Sequence, residues 1–219
     1  MATITKLKSY IELGYKAADC VEKTILSPGA RLVLPTGSTP LSMYKELVSR
    51  KLDWSTITTY NLDEYLNNKN PEQAYSFYMN KFFFKYINIS KINFPNKTNI
   101  SKKNNYGYCV DLCILGIGAN GHIAFNEPGS SFDSETRIVN LSEQTRKDNS
   151  RFFSSINEVP KQAITMGLKT IMSSKKVLLL AKGKKKEMIL KKAFYEEITE
   201  KIPASILQKH KNLTIYYCD

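Results

Sequence analysis

Apolar and small side chains recur at helical spacing over residues 5–24, where Leu7, Tyr10, Ile11, Gly14, Ala17, Ala18 and Val21 fall on one stripe. The pattern predicts a helix there. It changes at RLVLP (31–35), a short β-rich run closed by a proline. Ser38-Thr39-Pro40 then reads as an N-cap with a proline in the first turn, and LSMYKELVSR continues as a helix. ITTYNL (57–62), DLCILGI (111–117), KVLLLA (176–181) and LTIYYC (213–218) read as strands. Helices are predicted from Pro71 to Phe84, over 142–157, from Pro160 to Met172, and from Lys184 to Tyr195. Residues 88–107 are rich in Asn, Lys and Ser, lack periodicity, and predict an irregular surface connection.

Strand–helix alternation of this kind predicts an α/β fold, a three-layer αβα sandwich with a mostly parallel, Rossmann-like sheet. No internal repeat or linker interrupts it, so residues 1–219 are expected to form a single domain. In such sheets ligands bind where strand C-termini open into loops. Three motifs fall at these ends: LPTGSTP, NLDEY and GIGANGHIAFNEP.

Composition narrows the class. Hydrophobic residues make up 42% and charged residues 24%, as in ordinary globular proteins. No apolar run approaches the roughly 20 residues that span a bilayer, and the N-terminus does not read as a signal peptide. Four cysteines without a CxxC pair read as reduced thiols, and the expectation is a cytoplasmic protein that binds neither membrane nor metal. The net charge of +12 is spread from end to end and carried mainly by lysine. That favours an anionic small substrate over nucleic acid, whose readers usually use arginine forks.

Each motif carries distinct chemistry. Thr36-Gly37-Ser38-Thr39 joins a strand to a helix, where a glycine, free N–H groups and hydroxyls suit a phosphate. It lacks the Gly-Lys-[Ser/Thr] ending of a Walker A loop. Asp63-Glu64 places two carboxylates after a strand; alternation turns one of them, and not both, toward a pocket. Gly116-x-Gly118-x-x-Gly121 has the form of a dinucleotide fingerprint, but Pro128-Gly129 breaks the helix that a pyrophosphate requires. The same loop supplies His122, a proton shuttle near neutral pH, with Asn120 and Glu127 placed to orient it.

These motifs resemble the glucosamine-6-phosphate deaminase (isomerising) family, whose pattern includes LPTG-[GS]-TP, a DEY strand end and GxGxxGHIAFNEP. The similarity runs from about residue 31 to Asp219 and includes Thr136-Arg137, Thr145-Arg146, Asn149 to Phe153 and Val159 to Gly167. The resemblance implies a cofactor-free conversion of glucosamine 6-phosphate and water to fructose 6-phosphate and ammonia, within amino-sugar catabolism. It implies that His122, oriented by Asn120 and Glu127, opens the sugar ring and that Asp63 moves the C2 proton. The phosphate is implied to lie on Thr36, Gly37, Ser38 and Thr39, held by Arg151 and Lys186.

Three features depart from the family pattern. Asn120 stands where many members carry aspartate, and an amide cannot stabilise an imidazolium as a carboxylate does. The 88–110 connection is shorter than usual and lacks a helix that normally precedes the DLCILGIG strand. The chain ends at Asp219 without the extension of hexameric members, and Val139 replaces a basic residue of their effector site. The expectation is therefore a monomer or small homo-oligomer that N-acetylglucosamine 6-phosphate does not activate. The competing readings are a galactosamine-6-phosphate deaminase or isomerase, a 6-phosphogluconolactonase-like hydrolase, and a non-catalytic sugar-phosphate sensor.

Overall fold

A computed structural model describes residues 3–101 and 106–219, with backbone alone at Ser101. Its first half runs β1 (Ile4–Lys6), α1 (Tyr10–Ile25), β2 (Arg31–Leu34), α2 (Leu41–Ser49), β3 (Thr58–Asn61), β4 (Asp63–Leu66), α3 (Tyr75–Phe82), β5 (Lys91–Asn93) and α4 (Lys97–Ser101). The second runs β6 (Leu112–Gly116), β7 (Arg137–Asn140), α5 (Glu143–Asn149), β8 (Gln162–Thr165), α6 (Leu168–Met172), β9 (Val177–Lys182), α7 (Lys186–Tyr195) and β10 (Leu213–Cys218).

Seven strands form one sheet in the order β1-β10-β9-β6-β2-β3-β5, and every pair in it is parallel. Its central strands are apolar on both faces, and alternation divides them between two cores. Leu32, Leu34, Leu112, Ile114, Leu178 and Leu180 join α1 and α2 on one side. Val33, Cys113, Leu115, Val177, Leu179 and Ala181 join α6 and α7 on the other. This is the three-layer sandwich that the hydrophobic pattern predicts.

The predicted elements are corrected in several places. Residues 160–172 are not one helix: Gln162–Thr165 is a strand, and only Leu168–Met172 is helical. β8 pairs antiparallel with both β4 and β7 in a second, three-stranded sheet that the chain pattern does not reveal. A strand whose partners lie far away in sequence carries no local signal, and its apolar Ala163 and Ile164 fit a helix equally well. The 88–107 connection is partly ordered, with β5 extending the main sheet beside β3 and α4 following; residues 102–105 of it lie outside the described residues.

Helix limits shift as well. α1 starts only at Tyr10, where the Ser9 hydroxyl accepts from the Glu12 N–H, and the residues before it form the edge strand β1. The Pro71–Phe84 segment contains one shorter helix between two 3-10 turns, and the 142–157 segment one shorter helix followed by two 3-10 turns. Ser38 is not a cap, since α2 begins at Leu41 after Pro40 with no side-chain cap.

α1 and α2 pack closely at Gly14, where a Cβ would meet the Ser42 backbone carbon and Cβ at 2.6 Å. Overpacking against backbone outweighs the helix propensity that alanine adds. Gly14→Ala is expected to destabilise the protein by about 1–2 kcal/mol, read from the midpoint of chemical denaturation.

Candidate active site at the sheet edge

Parallel pairing puts the C-terminal ends of β2, β3, β6 and β9 on one edge of the sheet. β2 runs out into the Thr36–Thr39 loop, where Gly37 takes a φ of +100° that side chains disfavour. Among the described residues, the N–H groups of Thr36, Gly37, Ser38 and Thr39 have no intramolecular acceptor, and the three hydroxyls have no partner. Seven donors therefore converge on one short loop before a helix, a setting that attracts an anion.

The β6 loop folds back on itself. Gly118 N–H donates to the His122 carbonyl at 2.8 Å, and Gly121 N–H to the Gly118 carbonyl at 3.2 Å. Gly118 also makes room for the imidazole: a Cβ there would lie 2.2–2.4 Å from three atoms of the His122 ring. The glycines thus serve a tight turn and the histidine. No helix follows them.

His122, Asn120 and Glu127 form one hydrogen-bonded chain. An ionised carboxylate only accepts, so the Asn120 Nδ2 donates to Glu127 Oε2 at 2.9 Å. Its Oδ1 then faces His122 Nδ1 at 2.7 Å and also accepts the His122 backbone N–H. Nδ1 must carry the proton, which leaves Nε2 of the neutral ring as an acceptor without a partner among the described residues. Burial lowers the His122 pKa, with Lys186 adding to the effect; the Glu127 carboxylate, 3.8 Å from Nδ1, opposes it.

Asp63 opens β4 and is buried; Glu64 points the other way, as alternation predicts. Glu64 Oε1 accepts the N–H groups of Tyr65 and Tyr75, and Oε2 that of Ser76, each at 2.9 Å. Glu64 therefore ties down the start of α3 and is structural. Asp63 has no such partners among the described residues, and its pKa is pushed up to about 8, first by burial and then by the charge of Glu64.

Backbone pairing ties Asp63 to the histidine loop. It lies opposite Thr165 of β8, and the Thr165 hydroxyl accepts the N–H of Phe125. Asn126 is fully buried, donates to the carbonyls of Ile123 and Met166, and accepts from Arg137 at 2.9 Å.

Lys186, at the start of α7, donates to the Ile117 carbonyl at 2.7 Å. Burial lowers its pKa, with the charge of Arg151 next. Arg151 sits in a 3-10 turn after α5 with its guanidinium over the Phe152 ring, close enough to Lys186 for the two charges to repel. Asp148 offsets part of this field at both Lys186 and His122.

Thr145 belongs to the Thr145-Arg146 stretch of the family resemblance, but no role is assigned to it from the sequence; the structure links it to the histidine loop. Its hydroxyl donates to Glu127 Oε1, and Ser142, the N-cap of α5, donates to the Thr145 hydroxyl at 3.1 Å. A Ser-x-x-Thr spacing at a predicted helix start was the available signal. It marks a cap, however, and not a link to a histidine loop far upstream.

The profile of the family described as glucosamine-6-phosphate isomerases/6-phosphogluconolactonase matches residues 8–216. The chain belongs to this family. It is 47% identical over 230 residues to a glucosamine-6-phosphate deaminase of Clostridium botulinum (strain Kyoto / Type A2), covering 97% of this chain and 94% of that protein. A glucosamine-6-phosphate deaminase of Lactobacillus delbrueckii subsp. bulgaricus is 44% identical over 222 residues, with the same coverage. The solved structure of a monomeric glucosamine-6-phosphate deaminase superposes with a TM-score of 0.89 at 40% identity, covering 100% of this chain and 97% of that one. A 6-phosphogluconolactonase from Thermotoga maritima shares the fold, with a TM-score of 0.76 at 22% identity, covering 100% and 99%.

Between an unfolded aspartate near pKa 3.9 and the folded value, the native state holds a proton that the unfolded chain releases. The stability this contributes is complete at low pH and is lost as pH rises through about 8. Asp63→Asn is therefore expected to raise the melting temperature relative to the parent more at about pH 8 than at about pH 5. An equal difference at both would contradict the buried-acid assignment.

Proposed function

We propose that this chain deaminates glucosamine 6-phosphate to fructose 6-phosphate and ammonia, without a cofactor. The observation that carries the reading is the convergence, at one sheet edge, of an unpaired donor loop, a histidine with a free Nε2 and a buried carboxylate of raised pKa. Identity to deaminases over nearly the full chain favours this reaction over lactone hydrolysis. The IAFNEP continuation of the histidine loop and the DEY strand end favour it too.

The roles follow from the chemistry of each group. The phosphate lies on Thr36, Gly37, Ser38 and Thr39, with Arg151 and Lys186 supplying positive charge. His122 Nε2 takes the proton of the C1 hydroxyl and returns it to the ring oxygen, opening the pyranose. The relay through Asn120 to Glu127 holds Nδ1 protonated while Nε2 does this work. Asp63 must then be ionised to remove the C2 proton. A substrate ammonium beside it lowers its pKa, so binding prepares the base. Asp63 returns the proton at C1 through an enolamine, and water hydrolyses the resulting C2 imine to the ketone and ammonia.

No helix among the described residues is long and apolar enough to cross a membrane. We place the protein in the cytoplasm as a monomer or small homo-oligomer. Val139, where effector-regulated members carry a basic residue, packs here against the cluster of Tyr65, Phe125, Leu141 and Ala163. Addition of N-acetylglucosamine 6-phosphate is accordingly expected to leave substrate affinity unchanged in steady-state assays.

Ammonia and fructose 6-phosphate release from glucosamine 6-phosphate, run beside the galactosamine epimer, tests the main reading. Turnover of the gluco substrate is expected, and no ammonia from either would refute an enzyme. Asp63→Asn is expected to abolish deamination while sugar-phosphate binding persists. His122→Gln is expected to slow the reaction most when the substrate is supplied as the closed ring.

A further inference from the structure

The donor loop at the end of β2 is held by three tyrosines from three different helices. Tyr44 of α2 donates to the Pro35 carbonyl at 2.5 Å, Tyr78 of α3 to the Gly37 carbonyl at 2.5 Å, and Tyr10 of α1 to the Ser38 carbonyl at 2.6 Å. The Tyr10 hydroxyl also accepts the Ser42 N–H at 3.0 Å, which ties it to the first turn of α2. The Lys182 ammonium, at the end of β9, lies 3.6 Å from the Tyr10 ring centroid and braces it by a cation–π contact.

These contacts do more than hold the loop in place. A trans peptide is planar, so a carbonyl and the N–H of the next residue point in opposite directions. The chain contains no cis peptide among the described residues. Fixing the Pro35 carbonyl therefore aims the Thr36 N–H, fixing Gly37 aims Ser38, and fixing Ser38 aims Thr39. Those are three of the four unpaired N–H groups of the loop. The fourth belongs to Gly37, whose positive φ makes the loop one that would otherwise sample many orientations. Burial raises the pKa of Tyr44 and Tyr78, so both hydroxyls remain donors.

We propose that Tyr10, Tyr44 and Tyr78 are positioning residues for the phosphoryl group: each turns one loop carbonyl away and its paired N–H toward the anion. The proposal rests on the reading of this loop as the phosphate site. It explains why three phenols drawn from separate helices end on three carbonyls of one short loop. An anion gains little from N–H groups that must first be reoriented, because the cost of ordering them is subtracted from binding. It would also be repelled by a carbonyl turned toward it.

Tyr10→Phe, Tyr78→Phe and the double variant test this, because each removes a hydroxyl and leaves the ring. One hydrogen bond of this kind contributes about 0.5–1.5 kcal/mol, or roughly twofold to tenfold in affinity. KM for glucosamine 6-phosphate and the competitive inhibition constant of inorganic phosphate are expected to rise by similar factors, with kcat held within about twofold. The double variant is expected to show close to the product of the two effects. Unchanged phosphate inhibition in both single variants, or a fall in kcat with KM constant, overturns the proposal. The underlying reading fails in a separate way: inorganic phosphate then does not compete with substrate in the parent protein. Because the two tyrosines sit on different helices, a variant that does not fold leaves the other to decide.

Discussion

Leu62 is bonded to both sheets, and the geometry of the site depends on that joint. Its N–H donates to the Leu34 carbonyl at the end of β2, and its carbonyl accepts the Met166 N–H beside β8 at 2.8 Å. The backbone leaves the parallel sheet at Leu62 and enters the antiparallel one at Asp63. The carboxylate is thereby buried at the seam between them, beside Glu64 and without an ion-pair partner among the described residues. Its raised pKa is a consequence of that position. Burial of Tyr65 in the same strand, and the use of Glu64 to cap α3, keep the chain from relaxing to expose it.

The histidine loop is fixed by the same seam. Thr165 receives Phe125, Asn126 binds the carbonyls on either side, and Arg137 of β7 completes the buried amide. Within this frame Asn120 has a definite task. An aspartate in its place would face the carboxylate of Glu127 and need a shared proton to do so. The amide donates to Glu127 and accepts from His122 without one. What it gives up is a full negative charge beside the imidazole, and Glu127 at 3.8 Å supplies part of that.

Much of this was legible in the chain. The buried runs RLVL, LCILG and VLLLA named the central strands, and Gly37, Gly118 and Gly121 marked the turns at their ends. Pro128 by itself excludes a dinucleotide helix after these glycines. Alternation turns Asp63 and Glu64 to opposite sides, and in the structure it is Glu64 whose carboxylate is taken up by backbone N–H groups. β8 differs from the helix that the pattern predicts because a strand of four residues, paired with elements about 25 and 100 positions away, has no periodicity long enough to identify it. The contacts of Thr145 and of the three tyrosines are hidden in the sequence for a related reason. Each looks like an ordinary helix residue until its hydroxyl is seen to end on a distant loop.

The sequence by itself determined the class of fold, the sheet edge where chemistry could occur and the residue types gathered there. Local spacing and side-chain chemistry suffice for those, since strand hydrophobicity, glycine turns and ionisable groups are properties of short segments. Tertiary structure alone decided which atom of each group is free to act. Nε2 of His122, the bare carboxylate of Asp63 and the unpaired N–H groups of Thr36 to Thr39 are free because their alternatives are occupied by partners from elsewhere. Such occupancy depends on long-range packing, and no window of neighbouring residues contains it.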